Sequence, residues 1–523
     1  MSPLPRLKQG ESADVALLLE GTYPYVSGGV SSWVHQIITA LPEFTFALIF
    51  IGSDPSHYAA PRYVLPPNVV HLSVHYLANP FEGTPRIVRE GNPDAFRDVE
   101  ALHDALKDSS QPIPDALWER VAQNLGKHEG LPAEDFIHSR RSWEQIIRAY
   151  ERDWSEGSFV DYFWTVRTIH APLFRLAEVA RQVPRVRMLH SISTGYAGAL
   201  AALLQRQRGL PFILSEHGIY TKERKIDLSH VGWIQDRSGL FSGESSDGLG
   251  HLRRLWIRFF EGLGRMTYQA ADPIIALYEG NRARQVQDGA DAARTHIIPN
   301  GIDIARFAPL RQLRGGPTPP IIGLLGRIVP IKDVRTFIRT MSTVAAELPE
   351  AEGWIIGPED ENPAYARECR ELVRNLGLES RVRFLGFQKP EELLPKLGLL
   401  MLTSISEALP LVVLEAFASG LPVVCTDVGS CRELVEGRPG DDAALGSAGA
   451  VVPITSPEEA GRAALRLLKD AEVWRAAQGA GIARVERWYS AARMIDSYRA
   501  VYRGALEGDR GGDRIRASSI AQG

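Results

Sequence analysis

Glu407 and Glu415 stand eight positions apart around an apolar run entered through a proline, in Ser406-Glu-Ala-Leu-Pro-Leu-Val-Val-Leu-Glu-Ala416. Two carboxylates on one cleft can work as acid and base, or as nucleophile and acid at a glycosidic carbon. An eight-residue offset does not by itself fix the roughly 5 Å separation that the second chemistry needs. A second constellation, Leu325-Gly-Arg-Ile-Val-Pro-Ile-Lys-Asp333, sets the Arg327 guanidinium five positions before the Lys332 ammonium at the start of a helical pattern. A planar fork, a point charge and the unpaired N–H groups of a helix start suit a diphosphate. In Glu20-Gly-Thr-Tyr-Pro-Tyr-Val-Ser-Gly-Gly-Val30, Gly28 and Gly29 open another helix, where glycine permits positive φ and close approach of an anionic or polyhydroxylated ligand. His217, in Ser215-Glu-His-Gly218, follows a buried strand. Taken singly, each piece also has a plain reading: a solvated turn glutamate, surface cations, an ordinary Gly-Gly turn, a structural histidine. Asp333 reads as a helix cap.

These residues need strands and helices to bring them together. Leu399 to Ser404 reads as a buried strand, Ser406 to Pro410 as a turn and Leu411 to Ser419 as a helix, which places Glu407 at a strand's carboxyl end, where open α/β sheets bind ligands, and Glu415 about two turns into the helix. Buried β-rich runs at Val15–Leu19, Phe44–Ile51, Arg187–Ile192, Phe212–Ser215 and Pro273–Leu277 form one block. Ile321–Leu325, Gly353–Ile356, Val382–Leu385, Leu399–Thr403 and Pro422–Thr426 form a second. With helical patterns such as Val30–Leu41 between strands, the blocks predict an α/β protein of two doubly wound Rossmann-like domains, 1–305 and 306–487, joined near Asn300-Gly-Ile-Asp303 and the Gly/Pro-rich Arg314–Pro320. The interval from about residue 80 to 185 lacks clear strands and reads as a helical insertion whose Trp118, Trp143, Trp154 and Trp164 are core residues by their spacing, or else part of a lid or partner surface. Residues 488–508 read as a last helix and 509–523 as a mobile tail.

At 523 residues the chain exceeds what one core usually holds, and 59 basic against 63 acidic residues leave a charge of −4, with no global footprint for nucleic acid. Cys369, Cys425 and Cys431 make no disulfide framework or zinc spacing, and no Asp-x-Asp follows a strand, so no metal is expected. No apolar run approaches the roughly 18–20 residues of a membrane span, and the start is unlike a secretory signal, which points to the cytoplasm. The Gly28-Gly29 loop is not G-x-G-x-x-G, which argues against a nicotinamide or flavin dehydrogenase.

Taken in order, the Gly28-Gly29 loop, Asn300-Gly-Ile-Asp303, Arg327 with Lys332 and the Glu407/Glu415 pair resemble the retaining GT-B glycosyltransferases of family four, over roughly Val15 to Tyr498. Glu20 to His35, Ser215-Glu-His-Gly-Ile-Tyr220 and Asp427-Val-Gly-Ser-Cys-Arg-Glu-Leu434 further resemble the Pel-type exopolysaccharide members. That likeness implies two domains facing across a cleft, with a UDP-sugar (UDP-glucose or a UDP-N-acetylhexosamine) on the C-terminal domain and a growing polysaccharide acceptor on the N-terminal one. On the matching positions it implies Arg327 and Lys332 at the diphosphate, Glu415 at the ribose, and Glu407 with the N–H groups from Ala408, Leu409 and the following turn to Leu411 at the donor sugar. Pro410 belongs to that turn, Gly28 and Gly29 would line the donor, and His217 would contact the transferred sugar. No cofactor or metal is implied. Inner-membrane components of a polysaccharide synthesis and export complex are implied as partners that could hold the protein peripherally at the membrane. The family usually has glycine where Ala408 stands, so a left-handed conformation there would be strained. A sugar-nucleotide epimerase, or a non-catalytic nucleotide-sugar-binding scaffold, remains an alternative.

Overall fold

The computed structural model describes residues 4–77, 89–108, 111–154, 157–230, 250–438, 440 and 442–508. The expected tail 509–523 and the start of the expected insertion, 80–88, lie outside them. The chain divides into two compact units. The first holds the described residues up to Ala276, then Asn281–Ile297 and the stretch from Ser497, and the second holds Leu277–Gly280 and Ile298–Asp496.

The first unit is built on seven parallel strands: β1 (Ser12–Glu20), β2 (Phe46–Gly52), β3 (Val69–Tyr76), β4 (Arg185–Ser191), β5 (Phe212–Glu216), β6 (Ile274–Ala276) and β7 (Thr295–Ile297), in the order β3-β2-β1-β4-β5-β6-β7. Val15 to Leu19 are no more than 1% exposed because β1 is paired on both edges, with Leu17 beside Leu48 and His190. Each such large aliphatic side chain contributes roughly 1.5–3 kcal/mol by leaving water, which is why the strand reads as an unbroken apolar run. Between β3 and β4 lie the helices Pro93–Lys107, Asp115–Asn124, Ala133–His138, Arg140–Asp153 and Phe159–Gln182. Trp118 is buried there, but Trp143 and Trp164 are 48% and 58% exposed, against the core expectation, because they sit on the outer side of their helices.

The second unit carries β8 (Ile321–Leu325), β9 (Glu352–Ile356), β10 (Val382–Gly386), β11 (Leu399–Leu402), β12 (Val423–Thr426) and β13 (Gly449–Val452), parallel and in the order β10-β9-β8-β11-β12-β13. In both sheets the chain winds outward one way from the first strand and then crosses back to its other side. The carboxyl ends of β1 and β4, and of β8 and β11, are therefore the switch points at which such sheets open a crevice. Gly301 is fitted against the backbone of Ser490, whose carbonyl oxygen a Cβ would meet at 2.3 Å, and Ile302 exchanges backbone hydrogen bonds with Tyr489 and Ala491. All three cysteines are free and buried.

Candidate functional site

At the switch point of the second sheet, the loops after β8 and β11 are joined by backbone contacts. The Thr403 hydroxyl donates to the carbonyls of Lys332 and Asp333, each at 3.0 Å, and the Ile405 N–H donates to Ile331 at 2.8 Å. Lys332 ends a short 3-10 turn, Pro330–Lys332, after which Asp333 caps the helix Val334–Glu347. Asp333 takes φ 43°, a left-handed conformation tolerated by aspartate, and accepts the Thr336 N–H at 3.2 Å and the Thr336 hydroxyl at 2.6 Å.

So held, Lys332 Nζ lies 2.5 Å from Glu407 Oε1, which also accepts the Ser404 hydroxyl at 2.6 Å. The two side chains are only 20% and 13% exposed, so the pair is poorly screened by water. The second carboxylate oxygen takes part in neither bond. Immediately after Glu407 the helix Leu411–Ala418 begins at Pro410 with no side chain capping it and no acid in its first turn, presenting backbone donors and the positive end of a dipole beside an ion pair.

The turn from Glu407 to Ala408 is clamped from the loop after β12. The Ser430 N–H donates to the Ala408 carbonyl at 2.8 Å, and Gly429, at φ +57°, lies so close that a Cβ there would meet the Glu407 and Ala408 carbonyl oxygens at 2.4 Å. Ala408 is absent from the positive-φ residues of the described chain, so the left-handed strain considered for alanine there does not arise; the glycine that the turn requires is Gly429.

Two further expected members of the site interact with groups other than Lys332 and Glu407. Arg327 does not converge with Lys332: its Nη1 bonds both oxygens of Glu361, at 2.8 and 2.6 Å, in a pair about half exposed. Lys332 instead folds over Gly326, where a Cβ would touch its Cε at 3.7 Å. Glu415 lies on the second turn of its helix, and burial lifts its carboxyl to about 7, with Arg306 pulling it down and Glu391 pushing it up. Arg306 is itself bonded to Glu391. Because the folded carboxyl is raised above its ordinary range, its contribution to stability is whole below that range and is lost as the pH rises through about 7. Glu415→Gln should therefore leave the melting temperature unchanged near pH 4.5 and raise stability by about 1–3 kcal/mol at pH 8, which thermal melts at the two pH values measure.

In the first unit, Gly28 precedes the helix Gly29–Ala40 with φ 165°, extended backbone, and no side chain caps that helix. Neither Gly28 nor Gly29 uses the left-handed φ that glycine permits, which Gly21 takes at 59°; a Cβ on Gly28 or Gly29 would meet nothing within 4 Å. His217 follows β5 and packs edge-on against Trp33, ring centres 4.5 Å apart. Burial pushes it down to about 4, so it is neutral at physiological pH, and its Nε2 is buried without a hydrogen-bond partner. Behind it, His190 Nε2 meets the Ser215 hydroxyl at 2.9 Å and His190 Nδ1 meets the Tyr502 hydroxyl at 2.7 Å, while Tyr498 donates to Ser215 at 2.9 Å. Glu216, beside His217, accepts from Thr194, Tyr268, Gln285 and the Tyr220 N–H, so its role is structural.

Among the described residues no group of three or more His, Cys, Asp or Glu side chains is placed to hold a metal, and no helix is long and apolar enough to cross a membrane. Sequence reasoning missed Glu361, Ser404, the Arg306–Glu391 pair and the clamp by Gly429. Only the last had a visible signal, a glycine just past a buried strand.

Residues 319–470 match the family described as Glycosyl transferases group 1. The fold resembles that of the Anabaena protein Alr3699/HepE in complex with UDP-glucose (TM-score 0.56, 16% identity, 94% of this chain and 99% of the other). It also resembles sucrose-phosphate synthase of Thermosynechococcus elongatus (TM-score 0.55, 18% identity, 95% and 100%). The two parallel-sheet units make a GT-B fold, and the second carries the matched Glycosyl transferases group 1 domain. The chain belongs to the family described as Domain of unknown function (DUF3492), which matches residues 13–293. It is 31% identical over 270 residues to D-inositol 3-phosphate glycosyltransferase of Kineococcus radiotolerans, covering 48% of this chain and 61% of that protein. It spans 40% of the length of the Nocardia farcinica enzyme of the same name.

Proposed function

We propose that the protein transfers a hexose from a UDP-sugar to a growing polysaccharide with retention of configuration and without a metal ion. The observation that carries this reading is the Lys332–Glu407 pair beside the uncapped start of the helix Leu411–Ala418. A diphosphate arriving at Lys332 exchanges for Glu407 as its partner, and the carboxylate released is then free to accept hydrogen bonds from the donor sugar's hydroxyls. The anomeric C–O bond to the diphosphate breaks and the acceptor oxygen bonds the same carbon. The acceptor's proton passes to a leaving-group oxygen, so no protein base is consumed. Charge growing on the diphosphate is met by Lys332, by Arg327 once it leaves Glu361, and by backbone N–H groups of the turn. Glu415 receives the ribose hydroxyls, the role that its position in the resembled motif implies.

The finer reading is a Pel-type exopolysaccharide transferase, near the Pel exopolysaccharide glycosyltransferase (PelF). It rests on the resemblance of Glu20 to His35, Ser215 to Tyr220 and Asp427 to Leu434. It places the protein in the cytoplasm, held at the inner membrane by components of a polysaccharide synthesis and export complex.

Calorimetric titration with UDP, ADP and GDP, followed by incubation with UDP-glucose and UDP-N-acetylhexosamines, tests the reading. Selective UDP binding with sugar transfer to an oligosaccharide supports it. An epimerised nucleotide sugar formed without acceptor, or binding without turnover, replaces it by the epimerase or the scaffold. Lys332→Ala should weaken UDP binding by about 10–100-fold, the worth of one charge-assisted hydrogen bond to a phosphate, in the same titration.

A further inference from the structure

Away from the switch points, the helices between β3 and β4, with the helix His251–Ala270, surround a cavity of about 260 Å³ in the first unit. Its wall is largely apolar and aromatic, with Trp118, Phe136, Ile146, Val166, Phe174 and Phe259 facing it. Two imidazoles line it, His103 and His170, their Nε2 atoms 3.1 Å apart. His170 Nδ1 lies 2.7 Å from the Val166 carbonyl, which makes it the N–H side of that ring and leaves its Nε2 to accept from His103. Burial lowers His170 to about 4 and His103 to about 3, so the pair adds hydrogen bonding but no charge. The lining becomes charged on the solvent side. There Lys107 bridges Asp104 and Asp153 at 3.0 and 2.6 Å, and exposed Arg152 and Arg258 complete the rim, the latter over the Trp154 ring.

Protein interiors leave few voids larger than a water molecule. Apolar cavities of about 150 Å³ already take up benzene. This one is larger, opens at a ring of mixed charge, and offers water few partners along its wall, a shape and polarity that match an apolar body with a polar end. We propose that the cavity binds the aliphatic chain of an amphiphile, the chain against the aromatic wall and the head group among Lys107, Arg152 and Arg258. This inference is independent of the glycosyl-transfer reading.

Trp118 and Trp154 lie on the lining, so a bromine-bearing dodecanoate, kept below its micelle-forming concentration, reports entry by quenching tryptophan fluorescence in the full chain. The expected result is saturable quenching at one molecule per chain. Ala149→Phe, which fills the cavity, should move half-saturation by about tenfold or more, and Trp118→Phe should remove part of the quenching amplitude. A second arm uses vesicles of phosphatidylcholine with brominated chains: quenching by the monomer assigns a soluble amphiphile, and quenching by vesicles alone assigns a bilayer lipid. No saturable quenching from either overturns the proposal. So does quenching that a folded Ala149→Phe leaves untouched or, should that variant not fold, quenching whose amplitude Trp118→Phe leaves whole.

Discussion

Glu407→Ala should lower the turnover of the proposed sugar transfer by about 10²–10³-fold, the loss expected when one fixed electrostatic group is taken from a reacting centre, and should do so without weakening UDP binding. The second half of that expectation comes from the resting geometry. Glu407 Oε1 is the acceptor for both Lys332 and Ser404, so removing the carboxylate frees the ammonium that a diphosphate would otherwise have to win from it. Donor affinity stays level or rises while chemistry fails, the opposite split from Lys332→Ala, which loses affinity first. Steady-state rates with calorimetry on the same preparation separate the two, and a thermal melt verifies the fold. Wild-type turnover in Glu407→Ala would mean that this loop positions nothing at the reacting carbon.

What could be read from the chain follows from how each element is buried. Strands paired on both edges, such as β1, β8 and β11, are covered on every side and appear as plain apolar runs. The three strands that the pattern did not reveal, β3, β7 and β13, are all sheet edges. β3, Val-Val-His-Leu-Ser-Val-His-Tyr, is half open to water and carries two histidines and a serine, so its periodicity is weak. β7 is three residues long and β13 four. The site divides in the same way. Glu407 and Lys332 stood out as candidates because loops at strand ends concentrate chemistry, and Glu415 because it follows Glu407 into the next helix. The ion pair between Lys332 and Glu407 spans 75 positions and depends on β8 and β11 being neighbours, which local spacing does not encode. Glu361, which holds Arg327, and Arg306, which tempers Glu415, are likewise tertiary facts. Gly28 and Gly29 permit a left-handed turn without requiring one, and here the positive φ falls on Gly21, a choice that the glycine pair alone does not encode.

Gly429→Ala should be the most damaging change outside the charged groups, because it attacks the support of Glu407 without touching its chemistry. A methyl group at Gly429 would stand 2.4 Å from two carbonyl oxygens of the Glu407–Ala408 turn, and the residue would have to hold φ +57°. The left-handed conformation costs an L-residue about 1–2 kcal/mol. The overlap is with backbone, which cannot rotate away as a side chain can, so the total loss should reach about 2–4 kcal/mol. Relief requires the turn to move away from the loop after β12, which displaces Glu407 from Lys332 and Ser404; a shift near 1 Å in a positioning group costs about 10²-fold in rate. Ser430→Ala is the control, since it keeps the N–H that holds the Ala408 carbonyl and removes only a buried hydroxyl without a partner. Melts and UDP-release rates on the two variants should separate them cleanly, Ser430→Ala at the wild-type level and Gly429→Ala depressed in both. Equal behaviour of the pair would mean that the Glu407 turn holds its shape without the clamp.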